Sequence, residues 1–318
     1  MDKPIWMWAA FIAIVLVLLI LDLGVFNKKD HEIGVKESLY LSCFYIVIGL
    51  LFSVWIWYQS GITSMEEYLT GYLIEKSLSL DNIFVISLVF EYLRIPRLYQ
   101  HRVLFWGILG VIVLRGLMIG LGAKLVAEFS WVLYIFAIFL IFTGIKMLFV
   151  KEHQKDMSEN KLLTFIQSHL RVTKELHGNH FFVSLEEPGS KKKLLWCTPL
   201  FVALLMIEMV DAVFAVDSVP AIFAITTDTY IIYTSNIFAI LGLRALYFAL
   251  AAVLPRFVYL KYALSLVLIF IGSKIFIADF FGWNKFPASV SLAITVSLLA
   301  AGILFSLYKT RGNYKNTI

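Results

Sequence analysis

The sequence predicts an all-α, polytopic integral membrane protein with nine transmembrane helices, and three observations carry that prediction. Hydrophobic residues make up 60% of the chain and charged ones 15%, with a mean hydropathy of +0.85, far from the balance of a soluble domain. The apolar residues fall into runs of roughly 20, the length that crosses about 30 Å of hydrocarbon. Lysine and arginine crowd into alternate connections between those runs, as the positive-inside rule requires.

The first run, 5–26, has little positive charge before it and no small-residue cleavage site after it, so it reads as a span and not as a signal peptide. Spans two to five follow at 39–59, 69–93, 103–122 and 131–149, completing a first membrane part over 1–149. The long connection 150–194 comes next. In it "ENKLLTFIQSHLRV" has helical apolar spacing, and "HFFVSLEEPGSKKKLLW" reads as two short strands around a Pro-Gly turn, a small cytoplasmic element. The second membrane part, 195–318, holds spans six to nine at 196–220, 230–253, 258–278 and 288–308.

With the N-terminus outside, the cytoplasmic connections hold 19 of the 27 basic residues and the opposite ones only Lys3, Lys124 and Lys285. The sequence thus places the C-terminus in the cytoplasm. The net charge of +5 follows from this asymmetry and fits acidic lipid headgroups, so no nucleic-acid partner is expected. The two cysteines, Cys43 and Cys197, lie in or at the edge of different spans without CxxC spacing, and the six histidines fall in connections or at their edges. Neither a disulfide framework nor a thiolate metal site is implied.

The second half repeats the first. "EKSLSLDN" at 75–82 aligns with "DAVFAVDS" at 211–218, "VLRGLM" at 113–118 with "GLRALY" at 242–247, and "YIFAIFLIFTGIKMLF" from Tyr134 with "YALSLVLIFIGSKIFI" from Tyr262. These alignments match Glu75 to Asp211, Asp81 to Asp217, Asn82 to Ser218, Arg115 to Arg244 and Lys146 to Lys274. Spans three to five therefore recur as spans six to eight. An offset of three spans reverses the direction of crossing, which gives two inverted three-helix repeats, a pattern of secondary transporters with a substrate site near the midplane.

Five interior acids of spans three and six, Glu75, Asp81, Glu208, Asp211 and Asp217, stand against Lys76, Arg115, Lys146, Arg244 and Lys274. Each costs about 2.5–3.5 kcal/mol at the bilayer centre on insertion scales, so each needs a partner or a task. The basic groups read as charge-compensating or gating residues, with Lys146 and Lys274 near enough to span ends to snorkel. At about 100° per residue, Glu75 shares a face with Asn82 and Asp211 with Ser218, while Asp81 and Asp217 sit about 100° off and Glu208 about 60° off. Local unwinding would bring all of them to one point. Pro220 hints at it, because it frees the carbonyl of Val216. The resulting site, Glu75, Asp81, Asn82, Asp211, Asp217 and Ser218, offers oxygen only, which suits Mg²⁺, Ca²⁺ or Mn²⁺. A proton relay or mutually neutralising structural pairs are the other readings of the same residues.

At these residues the chain resembles the TerC family of bacterial membrane proteins, named for tellurium resistance, and its Alx-type branch in particular. The stretches that carry the resemblance are "LDLGVFNKKDHE", "LTGYLIEKSLSLDNIFV", "RVLFWGILGVIVLRGLMI", "YIFAIFLIFTGIKM", "DAVFAVDSVPAIFAITTD" and "TSNIFAILGLRALYFAL". The resemblance implies a nine-span transporter of the LysE-type superfamily that exports manganese, with the acids of the two motifs needed for transport. The expected function is thus export of a divalent cation, Mn²⁺ foremost, in exchange for protons, with the metal as cargo and no resident cofactor. No Walker A motif is present to couple ATP. No GxGD signature surrounds Asp81 or Asp217, so an intramembrane protease is not expected, nor any other enzyme. The alternative is a membrane scaffold or accessory protein in metal or tellurite resistance, or in metalation of secreted proteins, without transport of its own.

Overall fold

The computed structural model describes residues 3–22, 34–149, 170–173, 175–186, 193–250, 259–283 and 285–313. Its helices are α1 (Ile5–Leu21), α2 (Val35–Ser60), α3 (Ile62–Tyr92), α4 (Arg97–Glu128), α5 (Val132–Phe149), α6 (Pro199–Phe223), α7 (Thr229–Leu241), α8 (Leu243–Leu250), α9 (Leu260–Phe280) and α10 (Ala288–Asn313). Each apolar run has become helix, because only a helix satisfies its own backbone in hydrocarbon. The seventh run is one apolar segment, Thr229–Leu250, divided at Gly242 into α7 and α8. Among the described residues seven segments are long and apolar enough to span a membrane, by length and composition. At 17 residues α1 is shorter than these, and α3, long enough at 31, carries more charge.

Helix termini are set by local chemistry. Asp228 caps α7 by accepting from the N–H groups of Tyr230 and Ile231 at 3.0 and 3.4 Å. Pro199 opens α6 at the position where its missing N–H costs nothing. A single glycine, Gly61 with φ +87°, turns the chain from α2 into α3, a conformation that side chains with a Cβ resist.

Contacts between helix ends establish the alternation of direction. At one end Lys3 meets Ser60 at 2.8 Å and Asp228 at 3.4 Å, Tyr134 meets Asp279 at 2.6 Å, and Lys285 lies 3.9 Å from Glu67. At the other, Tyr247 donates to Gln100 at 3.1 Å and the Tyr259 N–H to Ser306 at 3.4 Å. The strands β1 (Phe182–Glu186) and β2 (Lys193–Cys197) pair antiparallel from Phe182↔Cys197 to Glu186↔Lys193, next to the start of α6. Cys197 lies in β2, outside the span that the sequence places it at. The turn between the strands and most of the stretch read as helical, 159–172, lie outside the described residues.

The segment Thr229–Leu250 is the centre of the bundle: 83% of its apolar window is buried, against 22% for α5 and α10. Tyr230, Ile231 and Phe238 of α7 pack with Phe11 of α1, Phe52 of α2 and Tyr68 of α3 in the main apolar core. Around this centre α3 packs on α7 and α6 on α4, while α5 pairs with α9. The last contact is close because of two glycines. A Cβ on Gly144 would lie 2.7 Å from the Ser265 carbonyl, and one on Gly272 would lie 2.6 Å from the Ala137 carbonyl. Backbone cannot yield as a flexible side chain does. Gly144→Val and Gly272→Val are therefore each expected to cost about 1–3 kcal/mol, read as a lower Tm in detergent; an unchanged Tm in both variants would remove this close approach.

Candidate functional site

Four helices converge on one buried guanidinium. Arg115 of α4 is 1% exposed. Its Nη1 donates to Glu75 Oε1 of α3 at 2.6 Å, to Ser218 Oγ of α6 at 2.8 Å and to Asn236 Oδ1 of α7 at 2.9 Å. Nε and Nη2 donate to Oδ2 and Oδ1 of Asp211, both at 3.2 Å. Asn82 of α3 adds its Nδ2, 3.2 Å from Asp211 Oδ1. The rigid fork of Arg suits such a task, since it satisfies several acceptors from one position. Glu75 and Asp211 lie about 20 Å along helices of 31 and 25 residues, near mid-depth.

This convergence needs no unwinding. The backbone of α3 is helical through Asp81, and that of α6 is helical through Asp217 and Pro220. The expected unwinding at Pro220 is thereby corrected. A proline close to the C-terminal end of α6 removes one hydrogen bond and leaves the ladder before it intact. Residues seven apart return to the same face of a straight helix, so Glu75, Asp211 and Ser218 reach Arg115, and Asn82 reaches Asp211, without distortion. The side chains of Asp81 and Asp217 lie outside the described residues.

Beside Arg115 is a cavity of about 50 Å³ lined by Glu75, Asn82, Ser218, Met147 and Phe214 among others. It has room for a monatomic ion. Asn82 Oδ1 is buried beside it without a hydrogen-bond partner. Among the described residues no three acidic, histidine or cysteine side chains come close enough together to hold a metal ion. The two carboxylates of the cluster are instead bridged by Arg115, a cation supplied by the protein. Two carboxylates and one guanidinium leave one negative charge uncompensated, for a proton or a cation to neutralise.

The remaining basic groups stand elsewhere. Arg244, expected to reach the acids of spans three and six, pairs with Asp22 at the end of α1, beside Tyr45. Lys274 is buried and donates to Ser291 at 3.3 Å, and Lys146 is exposed on α5. Neither touches the cluster; Lys146 has the exposure that snorkelling gives. Lys76 donates to the Ala239 carbonyl at 2.9 Å, three residues before the α7–α8 division. Glu208 faces Gly110 of α4 and is not among the ligands of Arg115. Two participants escape the sequence reading. Asp22 lies inside the first apolar run, where an acid is itself a signal, and Asn236 stands in "TSNIFA" as a buried amide within the seventh apolar run.

A helical bundle that exposes apolar side chains along its spans and buries an ion cluster at mid-depth is a polytopic integral membrane protein. Residues 60–313 match the integral membrane protein TerC family, and the chain belongs to that family. It is 51% identical over 302 residues to an uncharacterized membrane protein of Rickettsia bellii, covering 95% of this chain and 97% of that one. A Myxococcus xanthus membrane protein is 47% identical over 96% of this chain and 93% of its own. A Photorhabdus laumondii protein described as a candidate membrane-bound redox modulator, Alx, is 41% identical over 98% of this chain and 97% of its own. No solved structure matches the chain.

Proposed function

We propose that this protein is a secondary transporter that exports a divalent cation, Mn²⁺ by preference, from the bacterial cytoplasm in exchange for protons. The observation that carries this reading is the Arg115 guanidinium held by two carboxylates, a hydroxyl and an amide oxygen at mid-depth. These are the donors that a hard divalent ion takes, and the unpartnered Asn82 oxygen at the adjoining cavity adds one more. Mn²⁺ is chosen over Mg²⁺ and Ca²⁺ on the family resemblance.

Inverted repeats support alternating access. If α3, α4 and α5 correspond to α6, α7–α8 and α9, exchange of the halves turns the α3–α7 contact into the α6–α4 contact, and both exist. Likewise Gly144 meets Ser265 and Ile269, while Gly272 meets Ala137 and Ile141, the same positions with the halves exchanged. One arginine of the repeat, Arg115, is then engaged with the acids while the other, Arg244, is withheld on Asp22. The asymmetry of basic residues supports a cytoplasmic C-terminus. A redox role of the kind in the Photorhabdus relative's description has less support in this chain. Its two cysteines are free and on different elements, and burial pushes the Cys197 thiol up.

Purified protein in liposomes, given Mn²⁺ with competing divalent ions and an imposed pH gradient, tests the reading and separates it from an accessory scaffold. Metal should move, and faster with the gradient. Asp81→Asn and Asp217→Asn should each abolish movement while the protein still inserts. Normal flux through both inserted variants would overturn the role of these acids, and wild-type liposomes that move no metal would overturn the transporter.

A further inference from the structure

Glu208 is an ionisable side chain at membrane depth that the cluster does not use. It lies on α6 one turn before Asp211, about 14 Å from the start of the helix. Its carboxylate is pressed against α4, so that a Cβ on Gly110 would fall 2.2–2.6 Å from its atoms. Glycine at 110 is thus the notch that admits it. Oε1 is buried there and has no hydrogen-bond partner.

Around the notch runs a groove of about 540 Å³ walled by Trp106, Val113, Leu114 and Leu117 of α4 and Leu204 of α6. Trp106, Val113 and Leu117 are among the exposed apolar side chains of the bundle, so the groove opens sideways onto the surface that meets lipid. An ionised carboxylate with an orphan oxygen in such a place has lost its hydration and gained nothing in return. As a neutral acid it fits.

We infer that Glu208 is a proton-carrying carboxyl, reached laterally from the bilayer and separate from the cation cluster, whose proton is the one exchanged for metal. The exchange rests on the export reading; the lateral acid does not. The charged groups near it are Asp211 on its own helix, held by Arg115 and Asn82, and Arg115 itself, five residues beyond Gly110 on α4. No other titratable side chain lines the groove from α4 or α6 among the described residues. While Arg115 is bound to Glu75 and Asp211, Glu208 has no cation and keeps its proton. A metal ion that takes those carboxylates frees the guanidinium, which then favours ionised Glu208 and releases the proton. Metal in and proton out thus share one arginine.

Dicyclohexylcarbodiimide, an apolar reagent that partitions into lipid, tests this on the full-length protein in phosphatidylcholine liposomes. The acid adds across one N=C bond, its oxygen to carbon and its proton to nitrogen. The adduct rearranges to an N-acylurea, so the whole reagent is retained and peptide mass spectrometry locates it. Glu208 should be labelled at mildly acidic pH, with labelling falling about tenfold for each pH unit above its midpoint, the slope of one titrating proton. A water-soluble carbodiimide should label it far less, and saturating Mn²⁺ should suppress the label. Glu208→Gln, which keeps the shape and loses the acid, should leave that peptide unlabelled and make metal flux insensitive to the pH gradient. Equal labelling by both reagents, or an unlabelled Glu208 in protein that is monodisperse by size exclusion, overturns the lateral acid. Labelling that Mn²⁺ does not affect leaves the acid standing and overturns its coupling, and failure of flux in the wild type strikes the export reading alone.

Discussion

Arg115→Gln is expected to lower export by about tenfold or more, a barrier increase of at least 1.4 kcal/mol, while leaving Mn²⁺ affinity unchanged or higher. Arg115 stands where the proposed cargo would bind, with Glu75, Asp211, Ser218 and Asn236 all accepting from it. A cation must displace it, so the guanidinium competes with metal at equilibrium. After release it restores neutrality to two carboxylates that would otherwise face each other uncompensated at mid-depth, which is costly. Glutamine removes the competitor and the restoring charge together. Binding is then tighter and release slower, because nothing returns to take the place of the departing ion. Titration calorimetry beside liposome flux separates the alternatives: a large loss of affinity with normal turnover at saturating metal would mean that Arg115 builds the site and does not gate it.

Asp22→Asn should destabilise the protein by about 3–5 kcal/mol, the usual cost of leaving one member of a buried ion pair behind. Arg244 is 3% exposed, its Nη2 is paired with Asp22, and its Nη1 is already buried without a partner. Without the carboxylate the guanidinium would stand charged in the protein interior near the end of α1. Asp22→Asn with Arg244→Gln removes both charges and is expected to recover most of the lost Tm, because deleting a whole buried pair costs far less than halving it. A double variant as unstable as Asp22→Asn alone would show that Asp22 acts through something other than Arg244. The pair matters beyond stability. It ties the first helix to α8 and holds Arg244 away from the Arg115 cluster in this structure.

Much of the fold was legible because it is written locally. Every apolar run holds a helix, but α3 starts seven residues before its run and α4 extends six beyond its run at each end, whereas caps such as Asp228 and Pro199 keep other starts within a few residues. The seventh run is the exception: its division at Gly242 had no cue stronger than one glycine. Glu75, Asn82, Asp211 and Ser218 could be grouped in advance, since spacing of seven on a helix is a rotational fact. The partners were another matter. Balancing five acids against five bases treated the charges as one pool and left out Asp22, whereas pairing depends on depth and on which faces meet.

From its own residues the chain determines that it lies in a membrane, how many times its apolar runs could cross, and which faces of α3 and α6 are polar. These follow from hydrophobic length and helical periodicity, which act within about 20 consecutive residues. Only the tertiary structure decided that Arg115 and not Arg244 takes the acids, that Asp22 holds the other arginine, and that Glu208 is set apart in a glycine notch open to lipid. Arg115 and Asp211 are 96 residues apart, and Arg244 and Asp22 are 222 apart. Which charges meet is fixed by the rotation and close approach of packed helices, and by the requirement that a buried guanidinium find its acceptors wherever that packing puts them.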